Sequence, residues 1–366
     1  PAEIHPICQR IVKRSATSQL MTFFVSLNNI FTLTTWLCWL SETFPPSKRA
    51  IQTIQNIHSK GWPGKGSLKS SWPIPLPFSE SEHHKRPSEP SHRTRVPSDW
   101  GEVSGIDLSS ALDDATRDAL ERALSEHLVL FFRDQDLTVE QHKAFGRRFR
   151  DLHLHPAAPK DAEHPEILVA HGDDKVSFVA GSQWHSDVSC DAEPPMGSIL
   201  RVVKTPSSGG DTLFASMYAA FDALSDSMQH LLCGLTAIHE GEQYYRNRYG
   251  RDDLRDSDYP AAEHPVVRTH PVTGRQSLYV NEGFTARLKE LSVAESDALL
   301  AFLFQHCAQP AFHCRFHWQP HSIAFWDNRC TQHLAIWDYY PEVRHGYRVT
   351  IKGDTPFYDP HLKAKP

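Results

Sequence analysis

Three polar residues, far apart in the sequence, form the pattern with the clearest chemical meaning. His185 and Asp187 lie two positions apart, and His333 follows much later in the chain. In extended backbone, a spacing of two directs both side chains to the same face. If a distant strand brings His333 to that face, two imidazoles and one carboxylate lie on one side of a metal ion and leave its opposite side open. This is the ligand set of non-haem Fe(II) oxygenases.

Two arginines follow the second histidine at short distance. Arg344 and Arg348 come eleven and fifteen residues after His333, and their spacing of four places them on one face of the next apparent strand. A guanidinium binds a carboxylate or a sulfonate through two parallel hydrogen bonds. Two such cations beside a half-open metal site predict small anionic ligands.

Spacing alone leaves other interpretations of the trio open. The chain contains 23 histidines, so one His-x-Asp sequence is weak evidence. Zinc also accepts two histidines and a carboxylate, so a zinc hydrolase is the main alternative, although the paired arginines would then have no role. Cys190 and Cys330 each lie three residues from a proposed ligand, but neither has a usual zinc spacing. A catalytically silent binding module is the third alternative.

The overall composition is that of an ordinary soluble protein. Of 366 residues, 40% are hydrophobic and 22% are charged, and the net charge of -6 gives no reason to expect a nucleic-acid partner. The seven cysteines include no Cys-x-x-Cys pair, which favours free thiols in a reducing compartment. We therefore expect a cytoplasmic location.

The first 96 residues differ from the rest in charge and composition. They carry 12 Lys and Arg against 5 Asp and Glu, or +7, whereas the remainder carries 26 against 39, or -13. Residues 15–41 are uncharged and long enough to cross a membrane, but their many Ser, Thr, Asn and Gln side chains make a span unfavourable. Residues 45–95 have a linker composition rich in Pro, Ser, Lys and His. We expect 1–96 to be a poorly ordered or targeting extension and 97–366 to be the folded domain.

Many short apolar segments and a few amphipathic ones follow. Their periodicity predicts a mainly β fold with helical cover, a sandwich or barrel rather than a parallel α/β sheet. The predicted helices cover residues 108–128, 138–149, 218–235 and 292–307. The predicted strands include residues 128–132, 167–170, 197–203 and 212–215, a hairpin of 266–270 with 276–280, and alternating segments after residue 312.

Residues 105–358 resemble the taurine dioxygenase family of Fe(II)/2-oxoglutarate-dependent dioxygenases. The first 96 residues lie outside the resemblance. The remaining segments match in family order over roughly 250 residues, an agreement too long to arise by chance. The matching stretches are residues 132–135, 151–156, 184–188, 206–213, 264–271, 280–285 and 326–333.

The resemblance implies a double-stranded β-helix, or jelly-roll, core within residues 97–366. It implies that His185, Asp187 and His333 hold Fe(II), and that Arg344, helped by the hydroxyl of Thr212, binds the distal carboxylate of 2-oxoglutarate. With O2, such a site converts 2-oxoglutarate to succinate and CO2 and hydroxylates a substrate. If the hydroxylated carbon bears a sulfonate, the product collapses to an aldehyde and sulfite.

The resemblance also implies a substrate site. Arg348 and His155 would contact the anionic head group of a small organic substrate, and Phe284 would line the pocket. A homo-oligomer, dimer or tetramer, is a further expectation from the family, whereas a membrane partner is not expected.

Three positions depart from the pattern of the taurine enzymes themselves. Ala158 and Gly181 stand where those enzymes carry a tyrosine and an asparagine, and Cys190 stands where an aromatic residue lines their pocket. Residues 240–245 also match their helical lid region poorly. These smaller residues predict a larger and less polar pocket. We therefore expect taurine to be a poor substrate, and a longer sulfonate, an alkyl sulfate ester or a hydrophobic carboxylate to be a better one.

Overall fold

The computed structural model describes residues 91–94, 100–156, 163–176, 179, 181–249 and 259–362. The uncharged stretch 15–41 and Ala158 lie outside the described residues. Of the linker predicted at residues 45–95, only residues 91–94 are described. Within the described part of the chain, no helix has the length and hydropathy needed to cross a membrane. The four residues Ser91–Thr94 pair with Trp100–Ser104 as antiparallel strands, just before the boundary expected at residue 97.

Strands dominate the described chain, which confirms the prediction of a mainly β fold with helices. In chain order the strands are β1 (Ser91–Thr94), β2 (Trp100–Ser104), β3 (Val129–Phe132), β4 (Leu152–His153), β5 (Leu168–Gly172), β6 (Gly197–Lys204), β7 (Thr212–Ser216), β8 (Thr236–Glu240), β9 (Ala261–Pro265), β10 (Val267–Thr269), β11 (Gln276–Leu278), β12 (Thr285–Leu288), β13 (His313–Phe316), β14 (Ser322–Asp327), β15 (Thr331–Ala335) and β16 (Arg344–Ile351). The helices are α1 (Asp114–His127), α2 (Val139–Arg147), α3 (Met217–Asp222), α4 (Asp226–Leu232), α5 (Glu242–Tyr249) and α6 (Val293–Cys307).

Two sheets position the functional side chains. The larger sheet has the order β1-β2-β3-β14-β6-β16-β4, and β5 also pairs with β16. Its pairs are antiparallel except β2 with β3. The smaller sheet has the order β13-β7-β15, with antiparallel pairs. Strands β7 and β15 carry Thr212 and His333, and β16 carries Arg344 and Arg348.

The central strands β3, β14 and β6 of the larger sheet are buried on both faces, which explains their nearly continuous apolar sequences. The ring centroid of Phe131 lies 4.0 Å from that of Phe316, with the rings stacked, and 5.7 Å from that of Phe214, edge to face. One face of the larger sheet therefore packs against the smaller sheet. The opposite face packs against apolar residues of α1 and α2, such as Leu124 and Phe145. Burying each such side chain contributes about 1.5–3 kcal/mol.

The helix predicted at residues 218–235 is in fact two shorter helices. The periodicity of residues 218–235 predicts a single helix, but α3 ends at Asp222 and α4 begins at Asp226. Ser225 caps α4 by accepting a hydrogen bond from the backbone N–H of Met228. The Gln229 amide donates to the carbonyls of Phe221 and Leu224, which satisfies the end of α3. Local capping therefore overrides an apolar pattern that continues through the break.

Candidate metal centre and active site

Backbone pairing brings the two proposed histidine ligands together. His185 and His333 form an antiparallel bridge, in which each backbone N–H donates to the other residue's carbonyl, at 3.2 and 2.9 Å. Directly opposed residues of an antiparallel pair project to the same side. The two imidazole centroids are accordingly only 4.1 Å apart.

Asp187 completes the trio from the same segment as His185. Its Oδ1 atom lies 3.7 Å from Nε2 of His185 and 3.8 Å from Nε2 of His333. One ligand atom from each of the three residues lies within 4.8 Å of the others, and all three side chains are buried. His185, Asp187 and His333 therefore lie together on one side, in the arrangement that the sequence predicts.

The protonation states of the three side chains fit a divalent metal. Nδ1 of His185 lies 2.8 Å from the carbonyl oxygen of Gln183, which can only accept, so Nδ1 is the donor and Nε2 is the nitrogen that faces the other two ligands. Burial, followed by the neighbouring His185, lowers the pKa of His333 well below its usual value. Burial would raise the pKa of Asp187, but the Arg348 guanidinium holds it below its usual range. Two imidazole Nε2 atoms and one carboxylate oxygen therefore converge.

A buried polar network holds the carboxylate of Asp187 in place. The Ser198 hydroxyl donates to Oδ2 of Asp187 at 2.7 Å, and the Asn328 amide donates to that same hydroxyl at 3.0 Å. The Asn328 amide oxygen also accepts from the backbone N–H of Asp187 and from the indole of Trp326. Such outer contacts orient a ligand and reduce its freedom before metal binds.

Ser198→Ala is expected to weaken divalent-metal binding by about 10–100-fold, because Oδ2 of Asp187 loses its donor. Calorimetric titration of the metal-free protein with Mn(II) measures the change. Ser207→Ala, which removes a hydroxyl from an exposed pair with Glu342, is the matched control and should bind Mn(II) like the wild type. Equal Mn(II) affinity in the Ser198 variant and the control would show that the network does not orient the carboxylate.

All eight site residues expected from the sequence line one cavity of about 430 Å³. They come from β7, β15, β16 and the segments between strands. The eight are His155, His185, Asp187, Thr212, Phe284, His333, Arg344 and Arg348. Residues separated by nearly 200 positions in sequence therefore line one cavity, in which the metal trio and both arginines are accessible to one small molecule.

Arg344 is a buried cation at one end of this cavity. Its Nη2 atom donates to the Thr212 hydroxyl at 3.3 Å, and that hydroxyl also accepts from the indole of Trp318 at 2.9 Å. Burial lowers the pKa of Arg344, yet a guanidinium stays charged in proteins. Among the described residues, no carboxylate lies within ion-pair distance of Arg344. A buried charge of this kind requires a counter-ion, and a ligand carboxylate would supply one.

Arg348 and His155 lie beside the trio. The Arg348 guanidinium donates to Oδ1 of Asp187 at 2.6 Å. Burial and then Arg348 lower the pKa of His155 to about 3, so its imidazole is neutral at physiological pH. A neutral imidazole next to a cation can donate a hydrogen bond to an anionic group without adding charge.

Aromatic residues form the neighbouring wall. The ring centroids of Phe284 and Tyr244 are 4.5 Å apart, and those of Tyr244 and His185 are 5.9 Å apart. Tyr244 belongs to α5, in the segment that matches the taurine enzymes poorly, and sequence reasoning missed its position on the cavity wall. The Tyr244-Tyr245 pair was the available signal, because adjacent aromatics rarely lack packing partners.

The departures from the taurine enzymes lie at different depths. Gly181 lines the cavity at φ +88°, and a Cβ atom there would lie 3.3 Å from Cε1 of His185. A larger residue would therefore crowd a proposed ligand. Cys190 is buried behind the wall, with its sulfur 3.8 Å from the Tyr245 hydroxyl, and is not a lining residue.

A second group of ligand-type side chains is a structural ion pair. His270, Asp327 and Cys330 also cluster within ligand distance. However, Arg329 donates to both carboxylate oxygens of Asp327 at 2.8 and 2.6 Å, and His270 lies 3.0 Å from Oδ2. The carboxylate is already neutralised by a buried cation, so an incoming metal would have to displace Arg329. This cluster stabilises the turn between β14 and β15.

Comparison with known proteins identifies the chain's relatives. A family model described as "Taurine catabolism dioxygenase TauD, TfdA family" matches residues 88–350. The chain belongs to this family. The match covers the trio and both arginines, together with strands β7 and β15 and all but the last residue of β16.

Individual relatives agree with the family assignment. The chain is 34% identical over 271 residues to the alpha-ketoglutarate-dependent sulfonate dioxygenase of Saccharomyces cerevisiae, covering 70% of this chain and 66% of that protein. It is 35% identical over 265 residues to the alpha-ketoglutarate-dependent sulfate ester dioxygenase of Pseudomonas putida, covering 70% and 87%. A crystal structure of a taurine dioxygenase from Burkholderia xenovorans superposes with a TM-score of 0.64 at 33% identity, covering 75% and 93%. These relatives do not support the zinc hydrolase alternative.

Proposed function

We propose that this chain is an Fe(II)/2-oxoglutarate-dependent dioxygenase that hydroxylates a small organic sulfonate or sulfate ester. The observation that carries the proposal is that one cavity is lined by the metal trio, by Arg348 and by the buried Arg344, which has no carboxylate partner among the described residues. Family membership supports the reaction class. The relatives' substrates, named as a sulfonate and a sulfate ester, support the class of head group.

The trio would hold the iron and the rest of the cavity would hold two anions. His185, Asp187 and His333 would supply the iron with three ligands, two imidazole nitrogens and one carboxylate. When bound, the iron would supply the oxidative decarboxylation of 2-oxoglutarate to succinate and CO2, coupled to insertion of one oxygen atom into a substrate C–H bond. Arg344 and Thr212 would hold the distal carboxylate of 2-oxoglutarate, which gives the buried guanidinium its counter-ion.

The substrate would bind with its anionic head at Arg348 and His155. The guanidinium provides the charge and the neutral imidazole provides a further donor. Phe284 and Tyr244, with apolar residues of β5 such as Leu168 and Ala170, would exclude water from the chain of the substrate. Hydroxylation of the carbon that bears the head group yields an unstable product, which releases an aldehyde with sulfite from a sulfonate or with sulfate from a sulfate ester.

The wall does not favour the ammonium group of taurine. Asp187 is the only acidic side chain among the described lining residues, and it is committed to the metal in this proposal. A buried ammonium without a partner is costly, whereas each methylene placed against an apolar wall gains about 0.8 kcal/mol. A medium-length alkyl chain is therefore the better occupant.

Four further features accompany the proposal. The two packed, mainly antiparallel sheets suit a double-stranded β-helix, with residues 97–366 as the dioxygenase domain. A cytoplasmic location and a homo-oligomer remain predictions from composition and from the family.

Substrate-dependent succinate release tests the proposal. We expect 1-hexanesulfonate or hexyl sulfate to exceed taurine in kcat/KM by about 100-fold, since four additional methylenes are worth roughly 3 kcal/mol. Heptanoate, in which the carboxylate carries the same six-carbon alkyl chain, separates the head-group requirement from the chain requirement. Sulfite or sulfate should appear in equal amount to succinate. Taurine as the best substrate of the panel would contradict the proposed apolar specificity.

A further inference from the structure

Arg348 contacts the one oxygen of Asp187 that faces the proposed metal position. Oδ1 accepts from Nη1 of Arg348 at 2.6 Å and is also the atom that lies 3.7 and 3.8 Å from the two imidazole Nε2 atoms. Oδ2 is turned away and accepts from Ser198. The head-group arginine and the metal trio therefore share a single carboxylate oxygen.

The charges around this oxygen make the shared contact important. Asp187 is the only acid among the described lining residues, which include the cations Lys175, Arg344 and Arg348. The side chains of Asp187 and Arg348 are 2% and 11% exposed, so the pair is little screened by solvent. The negative charge of Asp187 is thus balanced by Arg348.

We propose that Arg348 couples metal binding to binding of the anionic head group. This inference rests on the proposed function, which places the metal at the trio and the anion at Arg348. A divalent cation at the trio adds two positive charges next to the guanidinium and draws on the same oxygen. An anion at Arg348 compensates those charges and takes over hydrogen bonds that the guanidinium shares with Asp187.

Reciprocity fixes the direction of the effect in both binding reactions. If the anion raises metal affinity by some factor, the metal raises anion affinity by the same factor. Couplings between two sites commonly amount to about 5–150-fold. The substrate-binding arginine therefore weakens metal binding when no anion is present and ceases to weaken it when the head group arrives.

Anaerobic calorimetry of the metal-free full-length chain with Mn(II) tests the coupling without any turnover. We expect 1-hexanesulfonate to raise Mn(II) affinity at least about fivefold over sodium chloride of equal ionic strength. Arg348→Gln should bind Mn(II) more tightly than the wild type in the absence of the sulfonate and should show no sulfonate effect. Lys204→Gln removes an exposed cation from the strand beside β16 and should retain the full coupling.

The outcomes separate the coupling from a structural role and from the proposed function. Arg348→Lys keeps the charge but not the planar fork, so it should retain the weak Mn(II) binding and show a smaller sulfonate effect. Wild-type Mn(II) affinity that is unchanged by sulfonate would overturn the coupling, as would an Arg348→Gln variant that binds Mn(II) more weakly while still folded by circular dichroism. Normal turnover with no coupling refutes this inference alone. Coupled Mn(II) binding without turnover on any substrate refutes the proposed reaction alone.

Discussion

His333→Ala is expected to reduce substrate-dependent succinate release by about a thousandfold or more. The substitution removes one of the three proposed metal ligands and leaves only one imidazole nitrogen and one carboxylate at the site. A thousandfold loss corresponds to about 4 kcal/mol of transition-state stabilisation, a plausible share for a metal that performs the redox chemistry. The fold should survive, because His333 pairs with His185 through backbone groups that alanine retains.

Two measurements assign this loss to the metal. Iron content after reconstitution should fall with activity, while the thermal unfolding midpoint of the metal-free variant stays near that of the metal-free wild type. His230→Ala, an exposed histidine on α4, should keep both iron and activity. A His333→Ala protein that retains stoichiometric iron and normal turnover would remove His333 from the ligand set.

Arg344→Gln is expected to raise KM for 2-oxoglutarate by about 100-fold, with a smaller fall in kcat at saturation. Removing one partner of a buried, hydrogen-bonded charge pair costs about 2–5 kcal/mol, and a hundredfold change corresponds to about 2.7 kcal/mol. Thr212 would keep its hydroxyl and its contact with Trp318, so the shape of the pocket should change little. Glutamine has no charge to offer a carboxylate.

A cosubstrate that lacks the distal carboxylate makes this prediction specific. The wild type should strongly prefer 2-oxoglutarate to 2-oxovalerate, whereas the Arg344 variant should lose most of that preference. Arg287→Gln is the matched control, since Arg287 is an exposed arginine on β12 and does not line the cavity. An Arg344→Gln enzyme with an unchanged preference would place the distal carboxylate elsewhere.

The site was more predictable from sequence than its surroundings, and the reason is geometric. A spacing of two in extended backbone is a local property, and His185 and Asp187 share a face on a short extended segment that pairs only through the bridge at His185 and then turns at residues 187–190. The strand signals around Thr212 and Arg344 were also local. The pairing of His185 with His333 depends on which distant segments of the chain meet. Periodicity alone did not predict this contact, whereas the resemblance to the taurine dioxygenase family did.

Other features depend on packing that no local pattern encodes. The break between α3 and α4 arises from the Ser225 cap and from the Gln229 amide, which compete with a continuous apolar stripe. Tyr244 reaches the cavity because α5 lies against Phe284. The bond from Arg348 to Asp187 joins two residues whose separate roles were predicted, but whose contact required the tertiary structure.

Turnover under 18O2 tests the central claim most directly. With Fe(II), 2-oxoglutarate and 1-hexanesulfonate or hexyl sulfate, we expect one 18O atom in each succinate and one succinate for each sulfite or sulfate released. The reaction balances, because the second oxygen atom enters the substrate carbon and the electrons come from decarboxylation of 2-oxoglutarate. Product release that requires no 2-oxoglutarate, or succinate without 18O, would contradict the assignment of this cavity as a 2-oxoglutarate-dependent dioxygenase site.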